Sequence, residues 1–343
     1  MQALQLFEKL EPEFALIDLN PKVAEFACEV IKGLRLSQKR ISPKFFYDQK
    51  GSELFEKICE TEEYYVTRLE TALLKKHAAE ICRHLDGMTL IELGSGASEK
   101  IRILLRQIRE LVAYVPVDIS KSFLLESAAR LQKDFQELSI IPVCADFTLP
   151  VDLPALPQFQ GQKAAFFPGS TIGNFDPQDA TLLLKRIGQM VGVGGHLLIG
   201  VDLVKPLGVL EAAYNDSHGV TRDFNLNLLA RMNTELDADF DLQGFAHRAF
   251  FSEEFNRIEM HLVSLKDQSV TVGESSFEFR KEETIHTECS YKYTRDRFLA
   301  LARSAGFELK DFWTDPDLYF GEFLLEFRPQ ASAGLKRSGS ESR

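Results

Sequence analysis

The chain has 343 residues, enough for one α/β domain with a large insertion or for two modest domains. Hydrophobic residues make up 45% and charged residues 27%, a balance that excludes a disordered or fibrous protein and predicts a packed core. The formal net charge of -11 leaves no basic stripe to neutralise phosphates, so we expect no nucleic-acid partner.

The sequence carries no pattern of export, membrane insertion or metal binding. It starts without a basic segment followed by an apolar one, and no run of about 18 apolar residues occurs, so we expect a cytoplasmic protein with no membrane partner. No Cys-x-x-Cys or His-Glu-x-x-His pattern occurs, so we expect no metal site. The cysteines are expected to be reduced thiols in the core: Cys28, Cys59, Cys82, Cys144 and Cys289.

The first half of the chain changes from a helical pattern to an alternating one. Residues 1–45 have an amphipathic helical pattern that is closed by Gly33 and then by Ser42-Pro43. From Met88, short apolar runs alternate with helical stretches, which predicts a parallel sheet covered by helices. The runs lie at residues 89–93, 112–117, 140–143, 164–167 and 196–201.

Beyond the fifth run the regular alternation stops. Residues 205–285 combine a predicted helix with polar strand-like segments, which indicates an insertion or a second domain. The helix lies at 223–235, and the strand-like segments lie at 259–265 and 276–280. The sheet pattern then resumes with a helix and two strands, at 295–305, 307–313 and 319–327. The tail of residues 330–343 is predicted to be disordered.

The first turn of the predicted sheet is suited to a ligand. Glu92 ends a strand, and Gly94 and Gly96 follow it before a helix that is predicted to begin near Ser98. Glycines let the backbone approach a ligand closely. The third glycine of the dinucleotide fingerprint is replaced by Glu99, and no Gly-Lys-Ser phosphate loop follows. The turn therefore favours a nucleoside without a pyrophosphate.

Two further acidic residues follow the next two strands. Asp118 ends the second strand, where a carboxylate accepts hydrogen bonds from both ribose hydroxyls. Asp146-Phe147 close the third, where the carboxylate can hold an adenine amino group and the phenyl ring can cover the base. S-adenosylmethionine fits this pattern, and its sulfonium would suit Glu92. A nicotinamide-dependent oxidoreductase and a non-catalytic S-adenosylmethionine-binding regulator stay open as alternatives.

Six motifs are more specific than these strand ends. They are Phe46-Tyr47-Asp48-x-x-Gly51-Ser52-x-Leu54-Phe55, Glu63-Tyr64-Tyr65-x-Thr67-Arg68-x-Glu70, Glu92-Leu93-Gly94-Ser95-Gly96-x-Ser98-Glu99-Lys100, Gly169-Ser170-Thr171-Ile172-Gly173-Asn174, Asp223-Phe224-Asn225 and Thr287-Glu288-x-Ser290-x-Lys292. Over about residues 40–328 the chain resembles the ergothioneine-pathway histidine Nα-methyltransferases. That family also includes fungal methyltransferases that act on tryptophan derivatives.

We therefore predict an α/β protein with a Rossmann-like class I methyltransferase sheet and a second, inserted α+β substrate domain. The methyltransferase domain is assigned residues 67–204 and 292–329, and the substrate domain residues 1–66 and 205–291. The resemblance implies S-adenosylmethionine as cofactor, bound by Gly94, Lys100, Asp118, Asp146 and Phe147. Only the resemblance adds Lys100, because a lysine in a first helical turn is usually solvated.

The resemblance also implies a substrate pocket that closes between the two domains. Its predicted residues are Tyr47, Tyr64, Gly169, Asn174, Tyr214, Met260, Glu288 and Ser290. Tyr47 and Asn174 are given catalytic roles, since phenols can align an amine and an amide carbonyl can accept a hydrogen bond from it. We expect a small-molecule amino-acid substrate and a monomeric enzyme.

The predicted reaction is trimethylation of the α-amine of L-histidine to hercynine, the first step of ergothioneine biosynthesis. A period-two strand would put Glu288 and Ser290 on one face, where they can address two imidazole nitrogens, with Met260 shaping the pocket. Another amino acid, such as tryptophan or tyrosine, stays open as substrate. A second alternative also stays open: Glu288 could pair with Lys292 on an exposed strand, which would leave no group to bind imidazole.

Overall fold

The computed structural model describes residues 7–10, 14–19, 24–96, 99–151 and 157–329. The tail predicted to be disordered and the predicted helix start near Ser98 lie outside these residues. The strands are β1 Phe7–Leu10, β2 Phe14–Asp18, β3 Lys39–Arg40, β4 Met88–Leu93, β5 Leu111–Asp118, β6 Val143–Cys144, β7 Lys163–Phe167, β8 His196–Asp202, β9 Phe245–Ser252, β10 Arg257–Ser264, β11 Gln268–Val272, β12 Ser275–Phe279, β13 Thr284–Tyr291, β14 Phe307–Thr314 and β15 Phe320–Phe327. The helices are α1 Ala24–Leu34, α2 Gln49–Glu60, α3 Tyr65–Arg83, α4 Glu99–Leu105, α5 Lys121–Asp134, α6 Pro177–Val191, α7 Leu207–Ala212, α8 Val220–Glu235 and α9 Arg295–Ser304.

A mixed sheet in the order β1-β2-β6-β5-β4-β7-β8-β15-β14 is the main layer. Strands β2, β6, β5, β4, β7 and β8 run parallel, and β15 returns antiparallel to β8. From β4 in the centre the chain moves outward to β5 and β6, and then crosses to β7 and β8 on the other side. This reversal puts a crevice at the carboxyl ends of β4 and β7, where such sheets bind ligands.

Local sequence signals agree with most of these elements. The central strands β4, β5, β7 and β8 are buried on both faces, as expected for apolar runs under helices. Helix α2 begins after Asp48, whose carboxylate accepts the N–H of Gly51 at 2.6 Å. The predicted α/β fold class with a Rossmann-like sheet is thereby confirmed. The run predicted at 140–143 forms only the short strand β6, with Ile140 in a single bridge.

The helical prediction for residues 1–45 is wrong for its described first part. Residues 7–10 and 14–18 form the paired strands β1 and β2, and helix α1 begins only at Ala24. Strand β2 pairs with β6, and its neighbouring residues Leu16 and Ile17 are both buried. Burial on two faces at a sheet edge outweighs the local helical pattern.

A second, smaller sheet has the order β3-β13-β10-β9. Helix α8 packs against it, and Phe224 of that helix stacks on Phe46 with ring centroids 4.5 Å apart. Strands β11 and β12 form a separate hairpin. Helices α1 and α2 contribute to the same apolar cluster, whereas β1 and β2 join the main sheet. The boundaries of the two domains stay a prediction.

The two sheets meet at the loop that follows β7. A Cβ atom on Gly173 would lie 3.0 Å from the carbonyl oxygen and 3.2 Å from the nitrogen of Tyr291 in β13. Only glycine allows the loop and the strand to approach this closely. The crevice of the main sheet therefore lies next to one face of β13. Within the described residues, no helix is both long and apolar enough to cross a membrane.

Candidate active site

The turn after β4 forms one wall of the crevice. Gly94 has φ +70, and a Cβ atom there would lie 3.6 Å from the ring of Phe147. Gly96 donates its N–H to Asp118 at 3.2 Å, and Ser120 donates to the other carboxylate oxygen at 2.9 Å. These contacts fix the Asp118 carboxylate at the end of β5, facing the glycine turn.

The next strand brings the remaining predicted cofactor residues to the same edge. Asp118 pairs with Cys144 in β6, so Asp146 follows just beyond the strand end. Asp146 accepts the N–H of Thr148 at 2.9 Å, and Phe147 packs edge-on to a buried ring of β7. Burial raises the pKa of Asp118, while backbone N–H groups oppose that shift. A partly desolvated carboxylate beside an open glycine turn fits a ribose.

Glu92 does not have the role that its position suggested. It is 2% exposed, and the hydroxyl of Tyr114 donates to its carboxylate. Burial raises the pKa of Glu92 to about 8, so its carboxyl group is largely protonated at neutral pH. The expectation that its charge would suit a sulfonium is therefore not supported, and Glu92 lies beneath the crevice as a neutral acid.

Lys100 connects the cofactor crevice to the loop after β7. Its ammonium group pairs with Glu70, a fully buried residue of α3. Glu70 also accepts the backbone N–H of Gly169, at 2.8 and 3.0 Å from its two oxygens. Burial acts to lower the pKa of Lys100, but the charge of Glu70 raises it, so the lysine stays cationic. Sequence reasoning quoted Glu70 within a motif and gave it no role.

Beside this crevice lies a cavity that opens to solvent, with an empty volume of about 380 Å³ that includes part of the open space. It is lined by Tyr47, Phe55, Tyr64, Val66, Gly169, Ser170, Thr171, Asn174, Asp202, Tyr214, Glu288 and Ser290. Seven of the eight predicted substrate residues are therefore brought together. Met260 lies behind this lining, buried and paired with Glu288 in the neighbouring strand.

Three tyrosines form one side of the cavity. The rings of Tyr64 and Tyr214 meet edge to face, with centroids 6.4 Å apart. Burial, with the nearby Glu288 charge contributing, raises the pKa of Tyr47 well above its usual range. Burial has the same effect on the pKa of Tyr64. Both phenols therefore keep their protons and can donate hydrogen bonds to a carboxylate.

A buried ion pair lies next to Tyr214 and Ser290 of the cavity wall. Lys292 lies 2.7 Å from Asp202, and both side chains are fully buried. The ammonium group also donates to Ser290 Oγ at 2.8 Å, and the hydroxyl of Tyr214 donates to the same oxygen at 2.8 Å. With both lone pairs of Oγ occupied, the Ser290 hydroxyl is left to donate into the cavity.

Glu288 does not form the exposed ion pair with Lys292 that was left open as an alternative. Lys292 is engaged by Asp202, and Glu288 lines the cavity. Burial raises the pKa of Glu288 to about 7, although the charge of Lys292 acts to lower it. Sequence reasoning missed Asp202, whose position at the end of β8 was the available signal.

One further group of polar residues lies on the other face of the second sheet. Glu259, His261 and His286 have ligand-type atoms within 4.8 Å of one another. The two imidazole rings are stacked nearly parallel, at 14°, and Arg257 pairs with Glu259. Stacked rings point their nitrogens in parallel directions and do not converge on one ion. We treat this group as a structural cluster.

Because the crevice suits a nucleoside without a pyrophosphate and lies beside a polar cavity, the protein is of the class of S-adenosylmethionine-dependent methyltransferases. A family model described as "Histidine-specific methyltransferase, SAM-dependent" matches residues 26–327, and the chain belongs to that family. Its cofactor is S-adenosylmethionine.

Similar proteins agree with this assignment. A histidine N-alpha-methyltransferase of Mycolicibacterium smegmatis is 38% identical, over 88% of this chain and 96% of that protein. The corresponding protein of Mycobacterium tuberculosis is 39% identical, over 85% and 92%. Ergothioneine biosynthesis protein 1 of Neurospora crassa is 30% identical over 84% of this chain. The matched region is 33% of the length of that fungal protein.

The Asp118 carboxylate can be tested directly. Asp118→Ala should weaken S-adenosylmethionine binding by about 1–3 kcal/mol, because charge-assisted hydrogen bonds to the ribose are lost. Titration calorimetry measures the affinity, and Asp179→Ala, which removes an exposed carboxylate of α6, is the matched control. Unchanged affinity in a folded Asp118→Ala protein would remove this residue from the cofactor site.

Proposed function

We propose that this enzyme transfers three methyl groups to the α-amine of L-histidine and forms hercynine, the first step of ergothioneine biosynthesis. The names of its bacterial relatives support this substrate, and its similarity to an ergothioneine biosynthesis protein supports the pathway. The single observation that carries the proposal is the pair formed by Glu288 and Ser290 in the cavity wall.

The pair has the hydrogen-bonding character that a neutral imidazole requires. Glu288 in its ionised form accepts, and the occupied lone pairs of Ser290 leave its hydroxyl to donate. An imidazole has one N–H and one bare nitrogen, so it satisfies both groups. An indole has a single N–H and would leave the Ser290 hydroxyl unpaired, at roughly 1–3 kcal/mol.

The amino-acid backbone of the substrate is assigned to the tyrosines and Asn174. The protonated phenol of Tyr64 can donate to the α-carboxylate, while the proton of Tyr214 is donated to Ser290. Asn174 ends the loop that Glu70 holds through Gly169, and its side-chain carbonyl can accept an N–H of the amine. The amine is thereby directed toward the crevice of the main sheet.

S-adenosylmethionine supplies a methyl group that its sulfonium already activates, so the protein's contribution is alignment and exclusion of water. Asn174 and Tyr47 orient the lone pair of a neutral amine. Because the pKa of Tyr47 is raised, this phenol acts as a neutral hydrogen-bonding group and not as an anionic base. Each of the first two transfers leaves a proton on the product nitrogen, and this proton must be lost before the next transfer.

The proposal also covers the setting in which the enzyme works. We propose a monomer as the active unit, acting on a small-molecule amino acid. A small-molecule substrate and no membrane partner agree with a cytoplasmic biosynthetic enzyme.

Removal of the Asn174 side chain should separate turnover from cofactor binding. In Asn174→Ala, kcat for histidine should fall roughly 10- to 100-fold, since the amine is no longer aligned. S-adenosylmethionine affinity should stay at the wild-type value. Mass spectrometry of the methylated products and calorimetry measure the two quantities, with Asn233→Ala as a control in α8. A parallel fall in both, or in neither, would contradict the role of Asn174.

Removal of Glu288 should change substrate preference. Glu288→Ala should raise KM for histidine and open activity on larger aromatic amino acids, because the N–H acceptor is lost and the cavity widens. The comparison is of kcat/KM for histidine, tryptophan and tyrosine in both proteins, with the exposed Glu278→Ala as control. An unchanged preference for histidine would show that Glu288 does not bind imidazole.

The raised pKa of Glu288 predicts a pH effect. Its carboxyl group loses charge as pH falls through about 7, so wild-type affinity for histidine should decrease there. Glu288→Gln has no such titration at this position. The ratio of the two affinities should therefore shrink from about pH 8 to about pH 7, above the ordinary imidazole pKa of about 6.5, where the ring of the substrate is mostly neutral. A ratio that is constant with pH would contradict this assignment.

A further inference from the structure

A β-bulge interrupts the pairing of β10 with β13 beside Glu288. The register passes from Met260 opposite Glu288 to His261 opposite His286, which leaves Thr287 without a partner in the ladder. A bulge shifts the alternation of side chains by one residue. In an uninterrupted strand, His286 and Glu288 would share a face. Here His286 stacks on His261, while Glu288 faces the cavity.

Asn225 holds this bulge from helix α8. Its Oδ1 accepts the hydroxyl proton of Thr287 at 2.8 Å, for which the backbone carbonyl oxygen of Met260, at 3.1 Å, is a second acceptor. Its Nδ2 donates to the carbonyl of His261, across from the bulge, at 3.1 Å. Asn225 and Thr287 are 0% and 1% exposed, so solvent cannot replace these bonds if one partner is lost.

The same amide also reaches the backbone of Tyr214. Asn225 Nδ2 lies 2.9 Å from His247 Nδ1, and His247 Nε2 lies 2.9 Å from the carbonyl oxygen of Tyr214. Because the amide donates, Nδ1 accepts, and the ring proton is on Nε2, where it donates to Tyr214. One buried side chain thus fixes both the bulge and the segment that carries a cavity tyrosine.

We infer that Asn225 and Thr287 are positioning residues for substrate selection. They stabilise the bulge in β13, and the bulge sets the face of the strand from which Glu288 projects into the cavity. Neither residue touches the substrate. The preference for an imidazole over an indole therefore depends on a bond between α8 and the bulge, not only on the lining side chains. This inference deepens the proposed function and rests on it.

Thr287→Val removes the hydroxyl and keeps the branched shape. KM for histidine should rise roughly three- to tenfold, as expected for one lost hydrogen bond that orients Glu288. Because KM for histidine rises, the ratio of kcat/KM for histidine to kcat/KM for tryptophan should fall. S-adenosylmethionine affinity should not change, and kcat should change less than KM. Thr287→Ser keeps the hydroxyl and should restore the wild-type values.

Thr89→Val is the matched control. Thr89 is a fully buried threonine of β4 whose hydroxyl also donates to a backbone carbonyl, far from β13. Its loss should lower stability and leave the substrate ratio unchanged. If Thr89→Val lowers the ratio of kcat/KM for histidine to kcat/KM for tryptophan as much as Thr287→Val does, a general loss of stability causes the effect. That result would overturn the inference.

The remaining outcomes also decide the question. If wild type methylates histidine and folded Thr287→Val keeps the wild-type ratio, the inference is overturned while the proposed function stands. If circular dichroism shows that Thr287→Val does not fold, Asn225→Asp takes its place, because a carboxylate cannot donate to the His261 carbonyl. A wild-type ratio in Asn225→Asp would overturn the inference. A wild type that does not methylate histidine overturns both proposals.

Discussion

The architecture of the site depends on the ion pair between Lys292 and Asp202. Asp202 ends β8 of the main sheet, and Lys292 follows β13 of the second sheet, so this pair joins the two layers where the cavity lies. Asp202 also pairs with the buried Lys205, so its carboxylate lies between two buried ammonium groups, and its removal would leave both without a counter-charge. Because the same ammonium group contacts Ser290 and Tyr214, the contact that holds the layers together also orients two groups of the cavity wall.

A second buried pair performs the corresponding task on the other side of the cavity. Glu70 contacts Lys100 beside the cofactor crevice and Gly169 in the loop after β7, so one carboxylate touches both binding regions. Glu322 lies buried beside it, and burial raises the pKa of this second carboxyl group, which keeps it uncharged. The proposed cofactor and substrate regions therefore share buried supports. An enzyme that relies on alignment rather than on a strong base needs supports of this kind.

Local chemistry explains which features the sequence could predict. The turn at Gly94 and the strand-end residue Asp118 depend on neighbours in the chain, and the apolar runs of the central strands are visible without a structure. The contacts of Glu70 with Lys100 and Gly169, and of Asp202 with Lys292, join residues distant in sequence, so no spacing could indicate them. The strands at residues 7–18 escaped prediction because pairing with β6 determines them. The bulge at Thr287 was equally hidden, since a period-two pattern predicts Glu288 and Ser290 on one face with or without it.

The close approach of Gly173 to Tyr291 limits how this site can evolve. A Cβ atom at Gly173 would lie 3.0 Å from the carbonyl oxygen of Tyr291, so a larger residue would push the loop and the strand apart by a few tenths of an ångström. Exchange of side chains on the existing main chain disturbs the cavity less. Related enzymes that accept bulkier amino acids should therefore differ in the side chains that project from β13 and its partner strand. They should retain glycine at this contact. A genome survey can use this criterion to sort sequences by substrate size.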